Sequence, residues 1–163
     1  MKEIKLTQGF VTQVDDEDFE YLNQFHWQAH KKPHGVYAVR AILKGKIKTS
    51  MRMHREILNL SEGVLCDHID HNGLNNQKNN LRPCTHSENT RNRTASKSAV
   101  SKYLGVFPSE RKRNPWRAMI SVNGEKFSLG NHRTKEGAAH AYNTAALINF
   151  KEFSNLNIIG SSI

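Results

Sequence analysis

The stretch Cys66–Asn89 constrains this chain more than any other. It reads C-D-H-I-D-H-N-G-L-N-N-Q-K-N-N-L-R-P-C-T-H-S-E-N. The apolar run Val64-Leu65, with Cys66, reads as a short buried strand that ends at Asp67-His68. Gly73 and the surrounding asparagines mark a loop, since both residue types tolerate turn conformations. Leu81–Cys84 reads as a second short strand. Thr85-His86-Ser87-Glu88 then fits the capping-box pattern, so a helix carrying Asn89 should begin there. A strand–loop–strand–helix order would fold Asn89 back toward Asp67. An acid, an imidazole and amides within about two dozen residues suggest metal-assisted hydrolysis. A hard cation such as Mg²⁺ prefers oxygen ligands and keeps several waters. A neutral imidazole is suited to deprotonating an attacking water, because it titrates near neutrality. An amide in the loop would fix its orientation.

The remaining composition bears on what such a site would act upon. The chain has 163 residues and a net charge of +9, and residues 96–163 hold 10 basic and 4 acidic residues, so +6 of the charge lies there. Asymmetry of this kind favours nucleic acid as partner. Hydrophobic content is 37%, so the core should be modest. Two cysteines, Cys66 and Cys84, make neither a disulfide framework nor a four-thiolate zinc site. Their spacing with His68 and His71 is not a standard zinc pattern either, and no zinc is expected. No apolar run approaches the ~20 residues needed to span a bilayer, and Met1–Thr7 has no signal-peptide core. A reducing cytosol, bacterial or phage-infected, is the expected setting, with no membrane partner.

Upstream of the central stretch, Ile4–Val14 alternates around Gln8-Gly9 and reads as a hairpin. Asp15–Asp18 precede Phe19, Leu22 and Phe25, as acids do at a helix N-terminus. Val36–Leu43 and Lys46–Met53 read as strands joined at Lys44-Gly45, and His54–Leu58 as a brief helix. His26, His30, His34 and His54 are assigned structural roles. Arg91–Lys102 is small, polar and basic, and reads as a linker.

Downstream, Tyr103–Phe107, Trp116–Val122 and Glu125–Leu129 read as three strands, with Asn123-Gly124 as a hairpin turn. Thr134 should cap a helix to about Asn149. Its apolar face would be Ala138, Ala141, Tyr142, Ala145, Ala146 and Ile148. Trp116 and Phe127 are expected in the core. The opposite sheet face is polar and basic and should have no helix over it. A sheet of this width can enter a DNA major groove.

Two resemblances sharpen these readings. D-H-I-D-H-N, N-N-L-R and S-E-N resemble the HNH nucleases of the His-Me finger (ββα-metal) class, and within it the phage and intron-encoded homing endonucleases. Asn80 and Asn89 stand twelve and twenty-one residues after His68, as the family spacing requires. The resemblance implies that His68 is the general base, that Asp67 and Asn89 bind one Mg²⁺ or Mn²⁺, and that Asn80 fixes the loop. The C-terminal region resembles the plant ethylene-response-factor (Apetala-type) DNA-binding domain through Tyr103-Leu104-Gly105-Val106, Trp116-Arg117-Ala118, Leu129-Gly130, Thr134–Ala139, Ala141-Tyr142-Asn143, Ala145-Ala146 and Leu156-Asn157. The plant domains' base-reading arginines fall here on Leu104, Phe107 and Ser109, and Met119 replaces a Glu, so fold carries over better than base code. Arg111, Lys112, Arg113, Arg117, Ser121, Lys126 and Ser128 are the candidate contacts, mostly to phosphate.

The expected fold class is therefore α+β. A β-rich segment at 1–53 precedes a ββα-metal nuclease module at 54–95. A three-stranded antiparallel sheet packed on one helix follows at 96–163. The expected function is a metal-dependent, strand-nicking endonuclease of homing type, acting as a monomer on double-stranded DNA. The alternative is a DNA-binding or regulatory protein with a decayed centre.

Overall fold

A computed structural model describes residues 1–33, 35–91 and 99–160. Most of the linker expected at Arg91–Lys102 lies outside these residues, as does His34. The chain forms two compact units, Met1–Thr85 and His86–Ile163. The division falls inside the span 54–95, after the second strand of the central stretch.

In the first unit, β1 (Lys2–Lys5) and β2 (Val11–Val14) form an antiparallel hairpin. Its turn places Gln8 and Gly9 at φ of 62° and 76°, the left-handed region that glycine enters without strain. Helix α1 (Asp16–Leu22) follows. β3 (Gln28–Lys32), β4 (Gly35–Lys44) and β5 (Ile47–Arg52) make an antiparallel sheet in that order. β3 is absent from the sequence reading, because Gln28–Lys32 is polar on nearly every residue and only Ala29 is buried. The core joins Ile4 and Val14 of the hairpin to Leu22, Trp27, Ala29 and Met53. Trp27 is almost fully buried and its indole N–H donates to the Leu22 carbonyl at 2.8 Å, so its polar edge is satisfied.

Helix α2 (Met53–Ile57) has five residues, too few to persist on backbone bonds alone. Tertiary contacts hold it. Met53 is in the core. Glu56 accepts two bonds from Arg40 of β4, at 2.8 and 2.6 Å, and a third from the Tyr21 hydroxyl at 2.9 Å. Arg40 in turn lies 3.9 Å over the Phe25 ring. Arg55 donates to the carbonyls of Ser61 and Val64, tying α2 to the segment that enters β6 (Leu65–His68). β6 pairs antiparallel with β7 (Leu81–Cys84).

In the second unit, α3 (His86–Arg91) precedes a three-stranded antiparallel sheet of β8 (Val106–Pro108), β9 (Trp116–Val122) and β10 (Glu125–His132), with β9 central. Asn123 and Gly124 take φ of 52° and 88° at the β9–β10 turn. Thr134 accepts a bond from the Gly137 amide at 3.0 Å and caps α4 (Lys135–Phe150). Ala138, Ala139 and Ala146 are completely buried, so α4 lies close on the sheet. Gly105 is required for that closeness: a Cβ there would meet the Tyr142 ring at 2.1 Å.

Three expectations change here. Ile148 is 72% exposed, because it sits two residues, about 200° of helix, from buried Ala146. Ala139 and Phe150 take buried positions instead. Phe127 is 47% exposed: it pairs with buried Ile120 on the helix-facing side, but β10 is an edge strand. Finally β8 begins at Val106, after a left-handed Gly105 (φ 71°), not at Tyr103.

Candidate hydrolytic centre

The β6–β7 hairpin sets Asp67 opposite Arg82 and His68 opposite Leu81. Successive strand residues face opposite sides, so the acid and the imidazole diverge from the strand. Asp67 is buried and its Oδ2 accepts from Arg82 Nε at 3.0 Å and Nη2 at 2.7 Å. A carboxylate could not be buried here without such a partner.

The connecting loop, residues 69–80, is built on asparagine side chains. Asn80 is buried; its Oδ1 accepts from the Asp70 amide at 3.0 Å, and its Nδ2 donates to Asp70 Oδ1 at 2.9 Å and to the Asn75 carbonyl at 2.8 Å. Asp70 also accepts from the Asn72 amide and from Asn75 Nδ2, both at 2.8 Å. Burial alone would raise the Asp70 carboxyl. The bonds from Asn75, Asn72 and Asn80, with the nearby His68, bring it below its ordinary value.

The loop is docked on the N-terminal hairpin. Gln13 of β2 bonds through its backbone to Leu74 and Asn76, each at 2.8 Å. Asp15 does not cap α1 with its side chain. It accepts from the Lys78 amide at 2.7 Å and from Gln77 at 3.1 Å, while Lys78 pairs with Glu17 and Asp18. The acidic run read as a helix start therefore also anchors the site loop.

This docking fixes the imidazole. Thr12, fully buried, donates its hydroxyl proton to the Leu74 carbonyl at 2.7 Å. Its oxygen is then left to accept from Asn76 Nδ2, also 2.7 Å away. Asn76 Oδ1 must face the other way, and it lies 3.2 Å from His68 Nε2. An acceptor at that position requires a proton on Nε2. In neutral His68 the lone pair is consequently on Nδ1. Burial lowers the His68 pKa, partly offset by the Asn76 bond and by Asp70 and Asp67, and so favours the neutral ring.

Two more rings reach His68. His54 of α2 has its ring centroid 4.9 Å away at 85°, and Tyr37 of β4 lies 5.9 Å away. Tyr37 and His54 also meet edge to face at 6.1 Å. The His54 imidazole is pushed down to about 3 by burial, then by the charges of His68, Arg52 and Arg55. The sequence reading named Asn80 as the loop-fixing amide, took Asn76 only as one of the loop's asparagines and gave His54 only a structural role. No local signal distinguishes Asn76 from its neighbours. For His54, adjacency to the apolar Met53 was the one hint of burial.

Asn89 is exposed on α3, in the second unit, and its role as a ligand rests on sequence spacing alone. Among the described residues no three His, Cys, Asp or Glu side chains cluster as a metal site. A carboxylate and an amide are oxygen donors, the ligand type that Mg²⁺ or Mn²⁺ would take alongside retained waters. The Cys66 thiol is pushed up to about 12 by burial and then by Cys84, so it is protonated at neutral pH.

In the second unit Arg111, Lys112 and Arg113 are exposed at the β8–β9 connection. Arg117, Ser121, Lys126 and Ser128 are exposed on the sheet face away from α4, with Lys126 opposite Ser121 and Ser128 opposite Met119. That face was expected to stand clear of any helix. Instead Arg117, Met119, Ser121 and Lys126 share a cavity of about 990 Å³ with His86, Ser87, Thr90 and Arg91 of α3. Arg91 bonds Asn123 at 3.2 Å and lies 5.0 Å over the Phe150 ring, which holds α3 there.

A β-hairpin presenting an Asp-His pair, with a docked amide loop that sets the tautomer, defines a candidate hydrolytic centre in an α+β protein. A mimivirus protein of Acanthamoeba polyphaga, named an uncharacterized HNH endonuclease, is 38% identical over 115 residues, covering 67% of this chain and 58% of its own length. Protein 3.8 of Escherichia phage T7 is 32% identical over 85 residues, covering 52% of this chain and 69% of its own length. The chain belongs to one family with that phage protein, whose name states no activity. No family model matches the chain, and no solved structure does. Among the described residues no helix is long and apolar enough to cross a membrane.

Proposed function

We propose that the protein is an HNH endonuclease that hydrolyses phosphodiester bonds in double-stranded DNA. The likeness to a protein named an HNH endonuclease supports the class. The observation that carries the mechanism is the chain Leu74–Thr12–Asn76–His68, which assigns the Nε2 proton and leaves Nδ1 basic. In this mechanism His68 Nδ1 takes a proton from the attacking water, and Asn76 accepts the Nε2–H bond that steadies the imidazolium. Asn80 keeps the loop closed beneath it through Asp70 and Asn75. Asp67, with Asn89 proposed from spacing, supplies oxygen ligands to one Mg²⁺ or Mn²⁺. When bound, that ion would neutralise charge developing on the phosphate and leaving group. Arg111, Lys112, Arg113, Arg117, Ser121, Lys126 and Ser128 are the proposed DNA contacts of an Apetala-type module. Nicking by a monomer, a homing role and a cytosolic setting complete the proposal.

The test is incubation of supercoiled plasmid with wild type and His68→Ala, with and without Mg²⁺ or Mn²⁺. Nicked circles that need both metal and His68 are expected, with the rate falling about 10²–10⁴-fold in the variant while DNA binding is retained. Wild-type cutting by the variant would refute the assignment of the base. DNA that is retarded but never cut by wild type would favour a binding protein with a decayed centre.

A further inference from the structure

We propose that His54 is a positioning residue for His68, forming with Tyr37 the ring wall that holds the imidazole with its Nε2–H directed at Asn76. The proposal rests on the assignment of His68 as general base.

The contact with Asn76 Oδ1, 3.2 Å from Nε2, fixes one end of the ring. A hydrogen bond at one ring atom does not by itself bound the faces and edge of an imidazole. His54 and Tyr37 are placed to do so. The His54 centroid is 4.9 Å from that of His68 at 85°, well inside edge-to-face range, and Tyr37 adds a tilted contact at 5.9 Å. The two wall rings brace each other at 6.1 Å and 74°. His54 and His68 are only 4% and 6% exposed, so little room remains for an alternative rotamer. The wall is itself anchored: Tyr37 stands on β4, opposite His30 of β3. His54 stands on α2, held by Met53 in the core and by the Glu56–Arg40 pair. Gly73 of the site loop packs on the same wall, since a Cβ there would meet Tyr37 ring carbons at 2.7 Å. The loop that carries Asn76 and the ring it orients thus share one backing surface.

The wall requires a ring of similar size at position 54, so His54→Phe and His54→Leu separate this role from plain volume filling. Plasmid nicking, DNA affinity, thermal melting and the ¹⁵N NMR signature of the His68 tautomer are measured on both full-length variants. His54→Phe is expected to keep kcat within about threefold of wild type and a single Nε2–H tautomer. His54→Leu is expected to lose roughly 10–100-fold in kcat, with unchanged DNA affinity and a mixed tautomer signal, as a misplaced catalytic group does. A Leu variant that nicks at the wild-type rate with the wild-type tautomer overturns the proposal. So does a Phe variant as impaired as Leu at normal melting temperature. Should the Leu variant fail to fold, the Phe variant decides alone: wild-type rate and tautomer support the wall, and their loss overturns it. A fully active His68→Ala protein would instead remove the general-base assignment, while the NMR signature would still report whether His54 holds the ring.

Discussion

At the scale of single residues, the centre depends on side chains whose chemistry admits only one arrangement. Thr12 has one proton to give, and the Leu74 carbonyl takes it. The direction of the Asn76 amide and the His68 tautomer follow in sequence. Gly73 is the other strict position. A Cβ there would lie 2.5 Å from the Val36 carbonyl oxygen and 2.7 Å from the Tyr37 ring, so the loop backbone rests directly on β4. Gly73→Ala must therefore lift the loop. Such overpacking typically costs about 1–3 kcal/mol. The expected outcome is a lower urea midpoint together with slower nicking, because Asn76 moves with the loop. A variant with the wild-type midpoint and rate would show that the loop tolerates the displacement.

At the scale of elements, helix α2 and the 69–80 loop are both short pieces held by distant partners. Their stability should therefore follow the charge state of those partners. The folded His54 imidazole titrates at about 3, against an ordinary value of 6.5. Between those values the unfolded chain takes up a proton that the folded protein refuses. Stability from this group is thus full above about pH 6.5 and declines as pH falls toward 3. His68 is lowered in the same direction. From pH 7.5 to pH 4.5 the His54 contribution should fall by roughly 2–3 kcal/mol. Urea unfolding of wild type and His54→Phe at both pH values measures it. The wild type should lose more stability than the variant, and equal losses would mean that His54 is not held neutral.

At the scale of the whole molecule, charge is divided unevenly: residues 96–163 hold 10 basic and 4 acidic residues. The outer sheet face of the second unit exposes Arg117 and Lys126. If these side chains meet phosphates, each should add about one to the slope of log affinity against log salt. Arg117→Ala and Lys126→Ala are expected to weaken DNA binding and to flatten that slope by about one apiece. Unchanged slopes would transfer the phosphate contacts to other residues. The cavity that this face shares with α3 also means that the face is bounded, and the contacts would be made at its rim.

Local interactions were readable without a structure, because their partners lie within a few residues. Strand alternation placed β9, the Asn123-Gly124 turn needed no distant partner, and Thr134 capped the helix that follows it. The paired strands around Asp67-His68 and the asparagine loop were legible for the same reason. The selection among chemically equivalent residues was not. Nine histidines and a run of asparagines offer many candidates for the same hydrogen bonds. Asn76 is chosen by Thr12, which is 64 residues away in the chain. His54 is chosen because α2 is pinned by Arg40 and the core. Asp15 turns to Lys78 across 63 residues, away from its own helix. The sequence by itself determined most of the short elements, β3 excepted, and the residue types they carry. Only the tertiary structure decided which of those side chains meet, since a hydrogen bond or ring contact depends on distances that chain spacing does not encode.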